Sequence, residues 1–314
     1  MKNLYFLTMM SLLLVSCKID SDKWMENFES ARSGESAAMK IVAYNNALIK
    51  LSDNQHSYLK SLDRNLGDIF NKLENPNDPY IFLSPTPMIY SHIPSYDDPK
   101  LEEPGNEFEE EDKEFFRKNV LILNQSFESI RAEYAKLEEY VKAEDYKDDQ
   151  GKAGKEMISQ IDQLIAKYYD TNEILTKRIV ALTENAEREV LKSHPFKDHI
   201  FAMKDASNAV ADFVTTAYEK PENYSANEAK FKELYDKIES LNLQREKLPL
   251  PKNSDFPGKE IYFSQYNQAV NNFLIAARKI MRDASSSGNL TQINLNDLAR
   301  EEENIRTAYN NFVD

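Results

Sequence analysis

The chain has 314 residues, a net charge of −14 and a single cysteine, enough length for one large or two ordinary domains with a real core. Only seven glycines occur, so the clustered glycines that Rossmann, P-loop and nucleophile-elbow sites need for close backbone approach are missing. The acidic balance repels phosphate backbones and anionic lipid headgroups, which excludes nucleic acid as an expected partner. Abundant Lys, Glu, Asn, Leu and Ala favour helices over sheets and turns.

At the N-terminus, Lys2 is followed by a short apolar core from Leu4 to Val15, and Leu14-Val15-Ser16-Cys17 has the form of a bacterial lipobox. Residues 1–16 therefore read as a lipoprotein signal peptide that is removed, with Cys17 the lipidated first residue of the mature chain. The alternatives are an ordinary secretory signal ending near a cysteine, or a buried helix. The small residue before Cys17 and the abrupt change to Lys18-Ile19-Asp20-Ser21-Asp22 speak for lipidation. One acyl chain binds a membrane only marginally, at about 0.8 kcal/mol per buried methylene, whereas several anchor it stably. Lys18, and not Asp, follows the cysteine, which in a host with two membranes resembles lipoproteins sent to the outer membrane. The expected location is the bacterial cell envelope, with the membrane engaged through the N-terminal lipid. Once Cys17 is consumed no disulfide can form, so burial must supply the stability.

Residues 17–35 are polar and read as a tether, and residues 36–314 as a helical domain with a proline-rich loop at 75–105. The first helix is predicted from Ser36 to Leu73, on apolar positions Tyr44, Leu48, Leu51, Tyr58, Leu62, Leu66, Ile69 and Leu73 recurring mostly at three and four. Asn75-Pro76 ends it. Seven of the twelve prolines follow, at 76, 79, 85, 87, 94, 99 and 104, and they exclude a helix there. Among the aromatics of this loop, Phe82, Tyr90 and Tyr96 are candidate partner-binding residues; covering the helical body is their alternative role.

Phe116, Val120, Leu123, Phe127, Ile130, Tyr134, Leu137 and Val141 keep an unbroken four-three spacing, a stripe of about 39 Å at 1.5 Å per residue. A second row runs through Ile158, Ile161, Ile165, Tyr168, Asn172, Leu175, Ile179, Leu182 and Ala186. The polar turn Asp145 to Gly151 between them implies a long antiparallel hairpin over 107–193, whose stripes further helices must cover. Asn172 reads as a register-fixing polar residue. Ser193-His194-Pro195 breaks the pattern. Further helices are predicted at about 198–220, through Phe231 to Leu241, at about 260–283 and at about 294–312, with Ser285-Ser286-Ser287-Gly288 as a loop. The fold class is all-α, an elongated multi-helix bundle built around the long hairpin.

Three segments together resemble one bacterial family: Ala43-Tyr44-Asn45-Asn46-Ala47-Leu48 with Tyr58-Leu59-Lys60-Ser61-Leu62-Asp63-Arg64; Asp145-Tyr146-Lys147-Asp148-Asp149 with Gly151, Gly154, Lys155 and Glu156; and Tyr266-Asn267 leading to Ala276-Ala277-Arg278. These are similar to the YiiG-like lipoproteins, a family of unknown function, over most of the mature chain. The resemblance implies a helical, lipid-anchored envelope protein and assigns no catalytic residue.

The four histidines, at 56, 92, 194 and 199, are scattered, and His194 and His199 lack the four-residue spacing of a helical zinc pair. Asp145, Asp148 and Asp149 near Gly151 could face a cation, but the alternating ligands of an EF-hand are missing. A solvated turn whose carboxylates favour the next helix's dipole is the simpler reading. The acidic run Glu107 to Glu114 reads as an exposed face first and a docking patch second. No metal, cofactor or catalytic residue is expected. The function expected is a non-enzymatic binding or scaffolding module with an envelope protein partner; the alternatives are a solute- or metal-binding lipoprotein and, third, an envelope hydrolase.

Overall fold

The computed structural model describes residues 36–78, 80–81, 88, 90–91, 98–219, 221–253 and 256–313. The segments expected to be a signal peptide and a tether, residues 1–35 with Cys17, lie outside the described residues. The described residues form seven α-helices and no strand: α1 (Ala37–Glu74), α2 (Glu110–Lys142), α3 (Lys152–Val190), α4 (Lys197–Glu219), α5 (Tyr224–Arg245), α6 (Lys259–Ser287) and α7 (Gln292–Val313). None of these helices is long and apolar enough to cross a membrane. They divide into two compact units, Lys40–Thr183 and Glu184–Asp314, with the boundary inside α3.

The first unit buries the stripes of α1, α2 and α3 in one apolar core. Leu62, Ile69, Phe116, Val120, Leu123, Ile130, Leu137, Ile161, Leu175 and Ile179 all have no accessible surface. Polar residues inside the core fix the helices against one another. Asn65 Nδ2 donates to Tyr134 Oη at 2.9 Å, and Ser52 Oγ donates to Asn172 Oδ1 at 2.5 Å, so Asn172 is satisfied by a cross-helix partner. At the end of the unit, α1, α2 and α3 approach closely at Gly154. A Cβ there would stand 2.7 Å from both Leu73 Cδ1 and Tyr140 Cε1.

The turn between α2 and α3 uses its acids as caps. Asp149 Oδ1 accepts from the Gly151 N–H and Oδ2 from the Ala153 N–H, both at 2.9 Å, satisfying donors that open α3. The Tyr140 hydroxyl donates to the same carboxylate at 2.5 Å. That bond first, and then the Ala153 N–H, hold the Asp149 carboxyl below the usual carboxylate range. Gly151 takes φ 76°, a left-handed conformation natural to glycine.

In the second unit α4 packs on α5 and α7, and α6 packs on the same two helices. Phe213, Phe231, Phe263, Tyr266, Phe273 and Tyr309 fill its core. Two sequence expectations change. The Ser285-Ser286-Ser287 run is the last turn of α6 and not a loop. Each serine hydroxyl donates to the carbonyl four residues back, those of Met281, Arg282 and Asp283. The helix stops at Gly288, which has φ 82°. Nor is the acidic run 107–114 wholly an exposed face, because Asp112 is buried and pairs with Arg178 of α3.

Candidate functional site

The chain returns from the proline-rich loop through residues 98–103, which lie over α1 and α2. Three side chains fasten this return. Tyr44 of α1, fully buried, donates its hydroxyl to the Leu101 carbonyl at 2.6 Å. Burial, with the Glu107 carboxylate beside it, pushes the Tyr44 phenol above its ordinary range. It therefore stays a donor throughout the ordinary pH range. Its ring is wedged against Phe108 and Phe116, with centroids 4.9 and 5.2 Å away. Lys50 of α1 pairs with Asp98 at 2.9 Å, and Asn124 of α2 donates to Glu102 Oε1 at 3.0 Å.

Under the return lies an open pocket of about 340 Å³, within the lower range of small-molecule sites. Ala47 and Leu51 of α1 supply its apolar side, Pro99 and Leu101 add to it, and Asp98, Lys100, Glu102, Glu103 and Asn124 bring the polar groups. Behind Asn124 stands Gln55, only 2 % exposed. Its Nε2 donates to Asn124 Oδ1 at 3.2 Å, while its Oε1 is buried without a partner. A chain of polar groups thus runs from a buried amide through Asn124 to a carboxylate at the pocket, the kind of support that fixes a binding group's orientation.

Of the residues singled out from the sequence, Tyr90 is half-buried on the first unit's core. Its ring meets Phe127 edge-on at 4.6 Å, and the Arg131 guanidinium sits 5.3 Å from its centroid. Phe82, Tyr96 and Cys17 lie outside the described residues. The histidines do not converge: His56 Nδ1 meets the Tyr169 hydroxyl at 2.9 Å, and His199 Nε2 meets the Pro249 carbonyl at 2.7 Å. His194 Nδ1 accepts from the Phe196 N–H. Burial, and secondarily Lys259, lower the His194 imidazole to about 4. His92 is outside the described residues. Among the described residues, no group of three or more His, Cys, Asp or Glu side chains is arranged to hold a metal ion. Lys50, Gln55, Glu102 and Asn124 carried no sequence signal, because the contacts that join them span from 22 to 69 residues.

No protein family and no curated protein matches the chain. Among solved structures it is similar to an alpha helical protein from Bacteroides fragilis NCTC 9343, with a TM-score of 0.56 and 16 % identity over 85 % of this chain and 96 % of that one. It is also similar to an uncharacterized DUF3829-like protein from Bacteroides thetaiotaomicron VPI-5482, with a TM-score of 0.49 and 18 % identity over 87 % of this chain and 98 % of that one. The first likeness assigns the chain an all-α fold shared with a bacterial helical protein.

Proposed function

We propose that the protein is a lipoprotein of the bacterial envelope, anchored through acylated Cys17, and that its helical body is a non-enzymatic binding module. Its binding face is the side of the first unit where the proline-rich loop returns to α1 and α2. The carrying observation is the pocket under residues 98–103, where charged and amide groups converge over apolar Ala47 and Leu51. A loop that merely covered the core would need no such convergence. Phe82, Tyr90 and Tyr96 belong to the same loop and are proposed to extend the face toward an envelope protein partner. The lipobox and the resemblance to YiiG-like lipoproteins support the tether, and Lys18 supports the outer membrane in a host that has one. A solute-binding lipoprotein is the second reading, and the pocket favours it.

The test has two arms. Metabolic acyl labelling should mark the wild type and disappear in Cys17→Ser. A photo-crosslinker at exposed Lys100, beside the pocket, should capture one defined envelope component in intact cells, and one at exposed Glu303 on α7 should not. Undiminished labelling of Cys17→Ser would remove the anchor, and identical capture from both positions would remove the binding face.

A further inference from the structure

We propose that the pocket under residues 98–103 binds a small aliphatic amine, held as its ammonium ion by Glu102 beside the apolar surface of Ala47 and Leu51. The inference rests on reading this side as a binding face and names the chemical class that the face takes.

Charge accounting around the pocket leads to Glu102. Three carboxylates line it, those of Asp98, Glu102 and Glu103, against one lysine, Lys100. Lys100 pairs with Glu103 at 3.1 Å, and Lys50, reaching in from α1, pairs with Asp98 at 2.9 Å. No lysine or arginine among the described residues pairs with Glu102. Its Oε1 takes a neutral amide hydrogen from Asn124, a bond that orients the carboxylate without cancelling its charge. Asn124 is in turn oriented by buried Gln55. The net lining charge is therefore negative, and the uncompensated charge is the oriented one.

The remaining lining decides what kind of cation fits. A bare metal ion would require several hard oxygen ligands around one point, and only one carboxylate here is left unmatched. An ammonium group needs acceptors for three hydrogens and carries its own stem. Ala47, Leu51, Pro99 and Leu101 offer that stem an apolar wall, and 340 Å³ suits a chain of a few carbons. The chain's net charge of −14 raises the local concentration of any cation.

The decisive experiment titrates n-butylamine into the full chain, purified in detergent, by ligand-observed NMR, with n-butanol and n-butyrate as matched probes. The expected result is saturable binding of n-butylamine, no saturation with n-butanol or n-butyrate, and at least a tenfold weakening in Glu102→Gln. Glu303→Gln should bind as the wild type does. Since Glu102 is exposed, Glu102→Gln should melt with the wild type, which separates lost binding from lost folding. Equal binding of n-butanol, a Glu102→Gln affinity within twofold of wild type, or no saturation with n-butylamine would overturn the proposal. The Lys100 crosslink is read without any amine. A face that captures its envelope component yet ignores n-butylamine rejects the amine alone, while loss of both signals rejects the binding face itself.

Discussion

Replacing Gly154 and Gly67 by alanine, one at a time, tests the close approach of the three helices in the first unit. Both glycines lie in helices of that unit, and helix propensity alone gives alanine the advantage at each, by up to about 1 kcal/mol. Packing reverses the sign at one of them. A Cβ on Gly154 would stand 2.7 Å from Leu73 Cδ1 and equally close to Tyr140 Cε1, so both side chains must give way at once. Overpacking of this kind costs about 1–3 kcal/mol, more than propensity returns. Gly67, inside α1, has nothing within 4 Å of its hypothetical Cβ and should gain about 0.5–1 kcal/mol. With about 1 kcal/mol returned by propensity, the net loss at Gly154 reaches about 2 kcal/mol, so at roughly 2–4 °C per kcal/mol for a chain of this size class Gly154→Ala should melt up to about 8 °C lower than wild type. Gly67→Ala should melt about 1–4 °C higher. Circular dichroism at 222 nm on heating reads both. A Gly154→Ala protein that gains stability as Gly67→Ala does would refute the packing argument.

Ile130 has no exposed surface and Ile165 only 6 %; each Ile→Ala should cost about 2–5 kcal/mol in urea unfolding, and an unchanged midpoint for either would contradict the hairpin core. Glu302, 5 % exposed on α7, supplies a pH test. Burial holds its carboxyl well above the usual range, with Arg306 opposing the shift and Glu303 adding to it. A carboxyl that binds its proton more tightly in the folded state carries no penalty below its unfolded pKa, and lowers stability as pH rises from there toward the folded value. Glu302→Gln should therefore unfold at higher urea than wild type at pH 8 and lose that advantage at pH 4; an equal gap at both pH values would refute the reading.

How much was legible depended on whether a feature lay along one helix or across several. The stripes of α1, α2 and α3 could be read residue by residue, because a helix repeats its buried face every three or four positions. Asp112 could not be read, since the arginine that draws it inward is 66 residues away. The Ser285–Ser287 run looked like a loop because serine favours turns. In α6 its hydroxyls instead bond back to the preceding turn, so the helix tolerates them up to Gly288. The pocket was the least legible part, because Lys50, Gln55, Asn124 and Glu102 meet only once α1, α2 and the loop return are folded together. Even Tyr44, noticed within a resembling motif, gave no hint that its hydroxyl fastens Leu101.

The proline-rich loop is tied down at both ends. Lys72 Nζ donates to the Asp78 carbonyl at 2.7 Å where the chain leaves α1, and Lys50 and Tyr44 grip it where it comes back. Ends held in this way make the length between them inexpensive to change. Each doubling of a flexible closed loop costs only about 0.6 kcal/mol in closure entropy, little beside the burial of three long helices. A change of length between these ties therefore need not unseat the body. The helices hold the body, and the loop is the part of the molecule whose length can change at low cost to folding.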